Sequence, residues 1–310
     1  MSDWLTRDTA KPAKGGTEIL REGLSKYTSI DQRGINVILC DTNLKKIRYN
    51  RKNLLWQHNN YSDESLAGMR DRSYMRSIDA TVYVSHWQYE KFRYLFQVPT
   101  DNAYVIKNSI DPIEFQPRVS GEKIRLIYTS APFRGLEILL DSFEALDRDD
   151  IELDVYSSPM TYGSAYAESV QGKFDALLER AANTPGVNYH GHAPNEEIRR
   201  SVSQAHIFAY PSIFEETACL AMIEAGAAGC RLVTTDLGAL YETGSEWATM
   251  IEMQADEKLL VRNYTAALEH AIDTYWTEQD FLKRQSDFFN EFYSWERRAP
   301  QWERLFDRIT

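Results

Sequence analysis

Short apolar runs recur along this chain, each followed by a polar turn and then by residues whose apolar members repeat at helical spacing. Runs at residues 35–40, 53–58, 80–85 and 103–107 predict four strands. A turn-rich break, Asn108-Ser109-Ile110-Asp111-Pro112, follows. The polar run 116–123 then reads as an interdomain linker. A second series of strands is predicted at 124–129, 153–156, 187–190, 207–210 and 232–234. Helices are predicted at 17–27, 86–96, 136–146, 172–183, 195–204 and 220–228, with a helical tail over 278–310. Alternating strand and helix segments of these lengths argue for α/β architecture with parallel, doubly wound sheets. The polar opening, residues 1–14, reads as a loop and not as a strand.

The densest chemistry lies just after the run ending at Tyr210. The segment Pro211-Ser212-Ile213-Phe214-Glu215-Glu216-Thr217-Ala218-Cys219-Leu220-Ala221-Met222-Ile223-Glu224 crosses a strand-to-helix junction, and Glu216 and Glu224 have seven residues between them. In open α/β sheets such junctions lie at the carboxyl edge, where ligands bind. Eight helical steps of about 1.5 Å would separate the two carboxylates by roughly 12 Å. A pair acting across one glycosidic bond stands about 5–9.5 Å apart, so this spacing suits the two ends of one long ligand. A surface Glu and a helix-face Glu remain the plain alternative.

Other loops carry compatible groups. Gly15-Gly16-Thr17-Glu18 opens a helix, where paired glycines allow close backbone approach and free amides face anionic oxygens. His58 ends the second apolar run; it is either a cleft residue or a capped structural histidine. Arg134 precedes Gly135 after the first strand of the second series; the Gly and the helix that follows favour phosphate over a plain surface position for its guanidinium. Ser85 stands where a helix cap or a phosphate contact is needed. His190 and His192 alternate without a Cys or second His pair, which is weak support for zinc, and no metal is expected.

On these residues the chain resembles the retaining nucleotide-sugar glycosyltransferases, the glycosyl transferases of group 1, which have the two-Rossmann GT-B fold and carry E-x7-E after an aromatic-Pro-Ser start. The resemblance runs from Gly15 to the end of the chain. It implies two Rossmann-like domains: residues 1–118 on the acceptor side, reduced in size, and residues 119–290 holding the donor. It also implies a C-terminal helix, 291–310, that packs back on the first domain, carrying Trp295, Trp302 and Leu305. By resemblance Glu216 meets the donor sugar and Glu224 the ribose. Gly15 and Gly16 meet the phosphates or sugar, and Arg134 meets the diphosphate. His192 and Ala193 lie in the loop that holds the nucleobase through its backbone. Thr217, Ala218 and Leu220 line the donor side, and Gly238 lies in a turn facing it. His58, Glu216 and Arg134 are the implied catalytic residues. A second basic residue usual in the phosphate loop is replaced here by Ser130 and Ala131, and Lys107 is a candidate substitute.

Composition narrows the setting. The chain has 310 residues, 43% hydrophobic and 12% aromatic, enough for two folded domains. No run approaches the roughly 18 apolar residues of a spanning helix. Met1-Ser2-Asp3-Trp4 has neither the basic start nor the apolar core of a signal peptide. Three scattered cysteines, Cys40, Cys219 and Cys230, argue for a reducing compartment. The net charge of −11 is uneven: 18 basic and 14 acidic residues precede residue 121, and 17 basic and 32 acidic follow. That asymmetry suits an acidic acceptor or a membrane headgroup layer, or is ordinary scatter.

The expected function is therefore metal-independent, cofactor-free transfer of a sugar, with retention, from a nucleotide donor such as a UDP- or GDP-sugar to a hydroxyl acceptor. The acceptor can be a glycan, lipid-linked or polyanionic. Alternatives are a non-catalytic nucleotide-sugar binder and a transferase acting on DNA or another polyanion. A cytoplasmic location is expected, with a peripheral membrane position open, and a homodimer would cover the small first domain.

Overall fold

A computed structural model describes residues 15–162 and 164–310 of the chain. The loop reading of residues 1–14, and the signal-peptide question with it, lie outside the described residues.

The first sheet contains β1 (Ile35–Leu39), β2 (Lys52–Gln57), β3 (Ala80–Tyr83) and β4 (Ala103–Val105), in that spatial order and all parallel. Side chains alternate across it, as the two-residue period of a strand requires. Ile35, Val37, Leu39, Leu54, Trp56, Ala80 and Val82 fill the core on one face. Ile38, Leu55 and Tyr83 fill the other, with Leu66, Met69, Tyr74 and Phe92 from the connecting segments. The first face is covered by helix Gly16–Tyr27, through Leu20 and Leu24, and by the last helix, Trp295–Ile309, through Trp302, Leu305 and Phe306. Trp302 stands edge-on to Trp56, ring centres 4.8 Å apart.

The second sheet contains β5 (Ile124–Tyr128), β6 (Ile151–Val155), β7 (Val187–Tyr189), β8 (Ile207–Tyr210), β9 (Arg231–Thr235) and β10 (Ala248–Ile251). Their spatial order is β10-β9-β8-β5-β6-β7, all parallel. Strands β5 and β8 are buried almost throughout, as parallel strands covered on both faces must be. Helices Leu136–Leu146 and Glu257–Thr274 pack together, as do helices Leu220–Ala227 and Gln279–Phe292. This is the GT-B architecture, two parallel-sheet α/β domains. The half-exposed edge strand β10 is not among the strands predicted, because Ala248-Thr249-Met250 carries little apolar signal.

Core membership changes between Ile106, in the first domain, and Ile110, in the second, ahead of the polar run 116–123. That run lies on the second domain, where Arg118 donates to the carbonyls of Ala205 and Ala228. The chain crosses back between Tyr293 and Trp295. The two crossings touch: the amide of Ile110 donates to the Tyr293 carbonyl at 2.8 Å.

Candidate functional site

Parallel strands place all their loop ends on one edge, and the two domains turn these carboxyl edges toward each other. Between them lies a cleft of about 570 Å³. The first domain contributes Gly15, Gly16, His58, Asn59, Asn60, Val84 and Asn108 to its walls. The second contributes Ser130, Arg134, Tyr210, Phe214 and residues 216–221. In the second sheet the chain proceeds from β5 to β6 and β7 on one side, then returns to β8, β9 and β10 on the other. Adjacent strands β5 and β8 therefore flank the point where the winding reverses, which is where open α/β sheets bind ligands. Arg134 comes from the loop after β5 and Glu216 from the loop after β8.

Those loops touch, and glycine permits it. Gly135 has φ +115°, and a Cβ there would lie 2.0 Å from the Pro211 carbonyl oxygen. The contact brings the Arg134 guanidinium onto Glu216 Oε1. The same oxygen accepts the Tyr210 hydroxyl. Glu216 is only 4% exposed, so a lone carboxylate there would be costly and two charge-assisted bonds offset the burial. Burial also raises the Tyr210 phenol well above its ordinary range, which keeps it a donor. The Arg134 guanidinium also lies 4.3 Å from the centre of the Phe214 ring.

The first domain closes the floor. Asn60 Nδ2 donates to the Glu215 carbonyl at 2.8 Å, and the Tyr61 hydroxyl to the Glu215 carboxylate at 2.5 Å. The Thr217 hydroxyl donates to the His58 carbonyl at 2.7 Å. The His58 ring packs against Trp56 at 4.6 Å.

Of the residues singled out from sequence, the cleft gathers Gly15, Gly16, His58, Arg134, Glu216, Thr217, Ala218 and Leu220. It does not gather His192, Ala193, Glu224 or Gly238. Glu224 is buried, with Arg199 Nη1 on its carboxylate at 2.5 Å. Burial pushes its carboxyl above the ordinary range, and Arg199 pulls the other way. Arg199 also donates to the Asp111 carbonyl at 2.8 Å, so this pair braces the interdomain crossing. Gly238 packs on the motif from behind. Its φ is +68°, a Cβ would sit 2.6 Å from the Glu216 backbone nitrogen, and the next amide, Ala239, donates to the Glu216 carbonyl at 2.7 Å. Its observed contact is thus with Glu216 and not with the cleft. Lys107, the candidate substitute for the missing second basic residue, is paired with Glu242. Ser85 is a cap: its hydroxyl accepts from the Gln88 amide at 3.0 Å. His190 is held by Asp154 at 2.8 Å and stacks on Tyr156. Among the described residues no group of three or more His, Cys, Asp or Glu is placed to hold a metal ion.

Sequence reasoning missed Tyr210, read as strand core, and Arg199. A signal for Tyr210 existed: a phenol at the last position of a buried strand needs a polar partner. Arg199 had none, because its partner is fixed only by how helix Asn195–Gln204 docks.

Residues 124–277 match the family model described as Glycosyl transferases group 1. Over 213 residues, 66% of its length, the chain is 24% identical to a subunit of human phosphatidylinositol N-acetylglucosaminyltransferase, and it spans 41% of that protein. Its fold is similar to sucrose-phosphate synthase from Thermosynechococcus elongatus (TM-score 0.67, 17% identity, 94% of this chain and 78% of that one). It is likewise similar to Anabaena HepE in complex with UDP and glucose (TM-score 0.65, 12% identity, 94% and 81%). The pneumococcal O-GlcNAc transferase GtfA in complex with UDP and GlcNAc also matches (TM-score 0.62, 12% identity, 98% and 64%).

Proposed function

We propose that this chain, which over residues 124–277 belongs to the group 1 glycosyltransferases, moves a sugar from a nucleotide donor to a hydroxyl acceptor with retention of configuration. One observation carries the reading: Arg134 and Glu216 meet at the switch point between β5 and β8, on the wall of a cleft whose other wall is the carboxyl edge of the first domain. A cation and a carboxylate side by side match the two polar parts of a sugar diphosphate. Arg134 takes the diphosphate oxygens in bidentate fashion, and Glu216 accepts hydrogen bonds from sugar hydroxyls. The donor therefore exchanges one charge-assisted contact for two.

In the transfer step the bond from the anomeric carbon to the phosphate oxygen breaks. The acceptor oxygen bonds to the same carbon on the same face, and its proton passes to the departing phosphate oxygen. Arg134 stabilises the charge growing on that diphosphate, so in this reading the compensation comes from the side chain and from amides at Gly15-Gly16 rather than from a metal. His58 stands on the acceptor side. UDP- and GDP-sugars are the donors of choice for testing. The three free, buried cysteines favour a reducing, cytoplasmic setting, and no helix among the described residues is long and apolar enough to cross a membrane.

A donor panel, assayed for transfer and for slow donor hydrolysis, tests the reading with Glu216→Gln as the control. Turnover should fall at least a hundredfold in the variant while nucleoside diphosphate still binds, since a lost transition-state contact of about 3 kcal/mol corresponds to that factor. Turnover equal to wild type at saturating donor removes Glu216 from the chemistry. Binding of donor without any transfer or hydrolysis supports the non-catalytic binder instead.

A further inference from the structure

The amino edge of the first sheet, opposite the cleft, holds a second and larger cavity of about 730 Å³. Ile78, two residues before β3, and Asp101 and Asn102, just before β4, lie in its wall. Helix His86–Phe96 starts at the cleft side and runs back to end here, adding Leu95 and Phe96. The floor is apolar: Met69, Met75, Ile78 and Val98 are at least 93% buried. The rim is cationic. Arg70, Arg72 and Arg76 are all exposed and all line the cavity, and Asp101 is the one acidic residue with them. None of the three arginines forms an ion pair among the described residues, although Arg70 lies over the Phe96 ring at 5.2 Å. At the mouth Leu95 is 43% exposed and the adjacent Tyr94 85% exposed. The stretch 44–76 that leads into this edge carries eight basic residues and three acidic ones.

Three guanidinium groups against one lining carboxylate, Asp101, set around methionine, isoleucine and phenylalanine, ask for a ligand with two halves. Arginine forks match phosphate oxygens geometrically. Methionine adapts to irregular apolar shapes such as short acyl or prenyl chains. The volume falls within the range of small-molecule sites. A free inorganic anion would leave the floor unused, and a neutral apolar molecule would leave the arginines unpaired. We infer that this cavity is a second ligand site of the first domain, taking a phosphorylated amphiphile with its phosphate on Arg70, Arg72 and Arg76 and its apolar part on Met69, Met75, Phe96 and Val98. The site lies on the opposite edge of the sheet from the cleft, so it is independent of the transfer reaction proposed above.

Calorimetry of the full chain with dihexanoyl phosphatidic acid, a soluble lipid phosphate, tests it. One saturable site is expected, with inorganic phosphate and zwitterionic dihexanoyl phosphatidylcholine each at least tenfold weaker. The double variant Arg72→Glu/Arg76→Glu should weaken phosphatidic acid at least tenfold, and Arg72→Gln/Arg76→Gln should weaken it too with the melting temperature unchanged. Glu216→Gln should bind it as wild type does. Absence of saturable binding, equal affinity for the three probes, undiminished binding by the folded double variants, or competition by UDP would each overturn the site. Sedimentation with phosphatidylcholine vesicles, with and without phosphatidic acid, separates the sources. Arginine-dependent co-sedimentation identifies a bilayer phosphate, and short-chain binding without it identifies a free amphiphile; both uphold the site.

Discussion

Gly135 shows how much of this cleft depends on a missing atom. Its φ of +115° lies in the left-handed region, and the Pro211 carbonyl fills the space where a Cβ would go. Any side chain must push the loops after β5 and β8 apart, and those loops carry Arg134 and Glu216. Gly135→Ala should therefore cost at least about 3 kcal/mol, since backbone strain of 1–3 kcal/mol adds to a steric clash with backbone. Gly34→Ala, also at positive φ but with open space around it, should cost only about 1 kcal/mol. Chemical denaturation of the two variants checks the contrast, and similar losses would mean that the loop contact is soft. The residues of the cleft were only partly legible beforehand. Arg134 and Glu216 stood out because a basic residue before Gly and a Glu after aromatic-Pro-Ser follow predicted strand ends. Their mutual contact did not, since it joins residues 82 positions apart. Glu224 is a ribose contact by resemblance alone, and its pairing with Arg199 was not legible in the sequence.

Among the elements, the turn after β9 leads into a contact between the two domains. Glu242, from helix Leu240–Gly244 of the second domain, caps a helix of the first. Its carboxylate accepts from the amides of His86 at 2.9 Å and Trp87 at 2.8 Å, and pairs with Lys107. Those amides open helix His86–Phe96, where the dipole favours negative charge. Burial acts to raise the Glu242 carboxyl, but the bonds from Lys107, His86 and Trp87 prevail and hold it below its ordinary value. A carboxyl lowered in the folded state contributes stability that is fully present above its unfolded value, near 4.5, and is lost as pH falls through the lowered one. Limited proteolysis at the crossing residues 107–113 should accordingly accelerate as pH drops below about 4.5. Glu242→Gln should show the faster cleavage already at neutral pH and little further change. A variant with the pH response of wild type would show that Glu242 does not hold the domains together. Helix His86–Phe96 was itself readable from its start signal, Ser85 before an aromatic-rich segment; that a residue 156 positions later would share in capping it was not.

For the molecule as a whole, the last helix makes the first domain dependent on the end of the chain. Trp295, Trp302, Leu305, Phe306 and Ile309 belong to the core over β1–β3. Trp302 is 1% exposed, so Trp302→Ala should destabilise the first domain by about 3–5 kcal/mol. Denaturant unfolding followed by first-domain tryptophan fluorescence measures it, and a loss under about 1 kcal/mol would place the helix outside that core. The sequence alone determined most of the strands and helices, though not β10 or helix Glu257–Thr274, because burial imposes a hydrophobic period on each well-covered segment whatever its neighbours are. It also determined the strand-end positions of Arg134, His58 and Glu216, because turn residues punctuate the chain locally. Only the tertiary structure decided that Arg134 and Tyr210 share one oxygen of Glu216, that Arg199 closes over Glu224, and that Gly238 backs Glu216. It alone also set the amino-edge arginines around an apolar cavity. Those pairings are made by atoms brought within about 3 Å when sheets and helices dock, and docking is a property of whole packed surfaces that no local stretch of residues records.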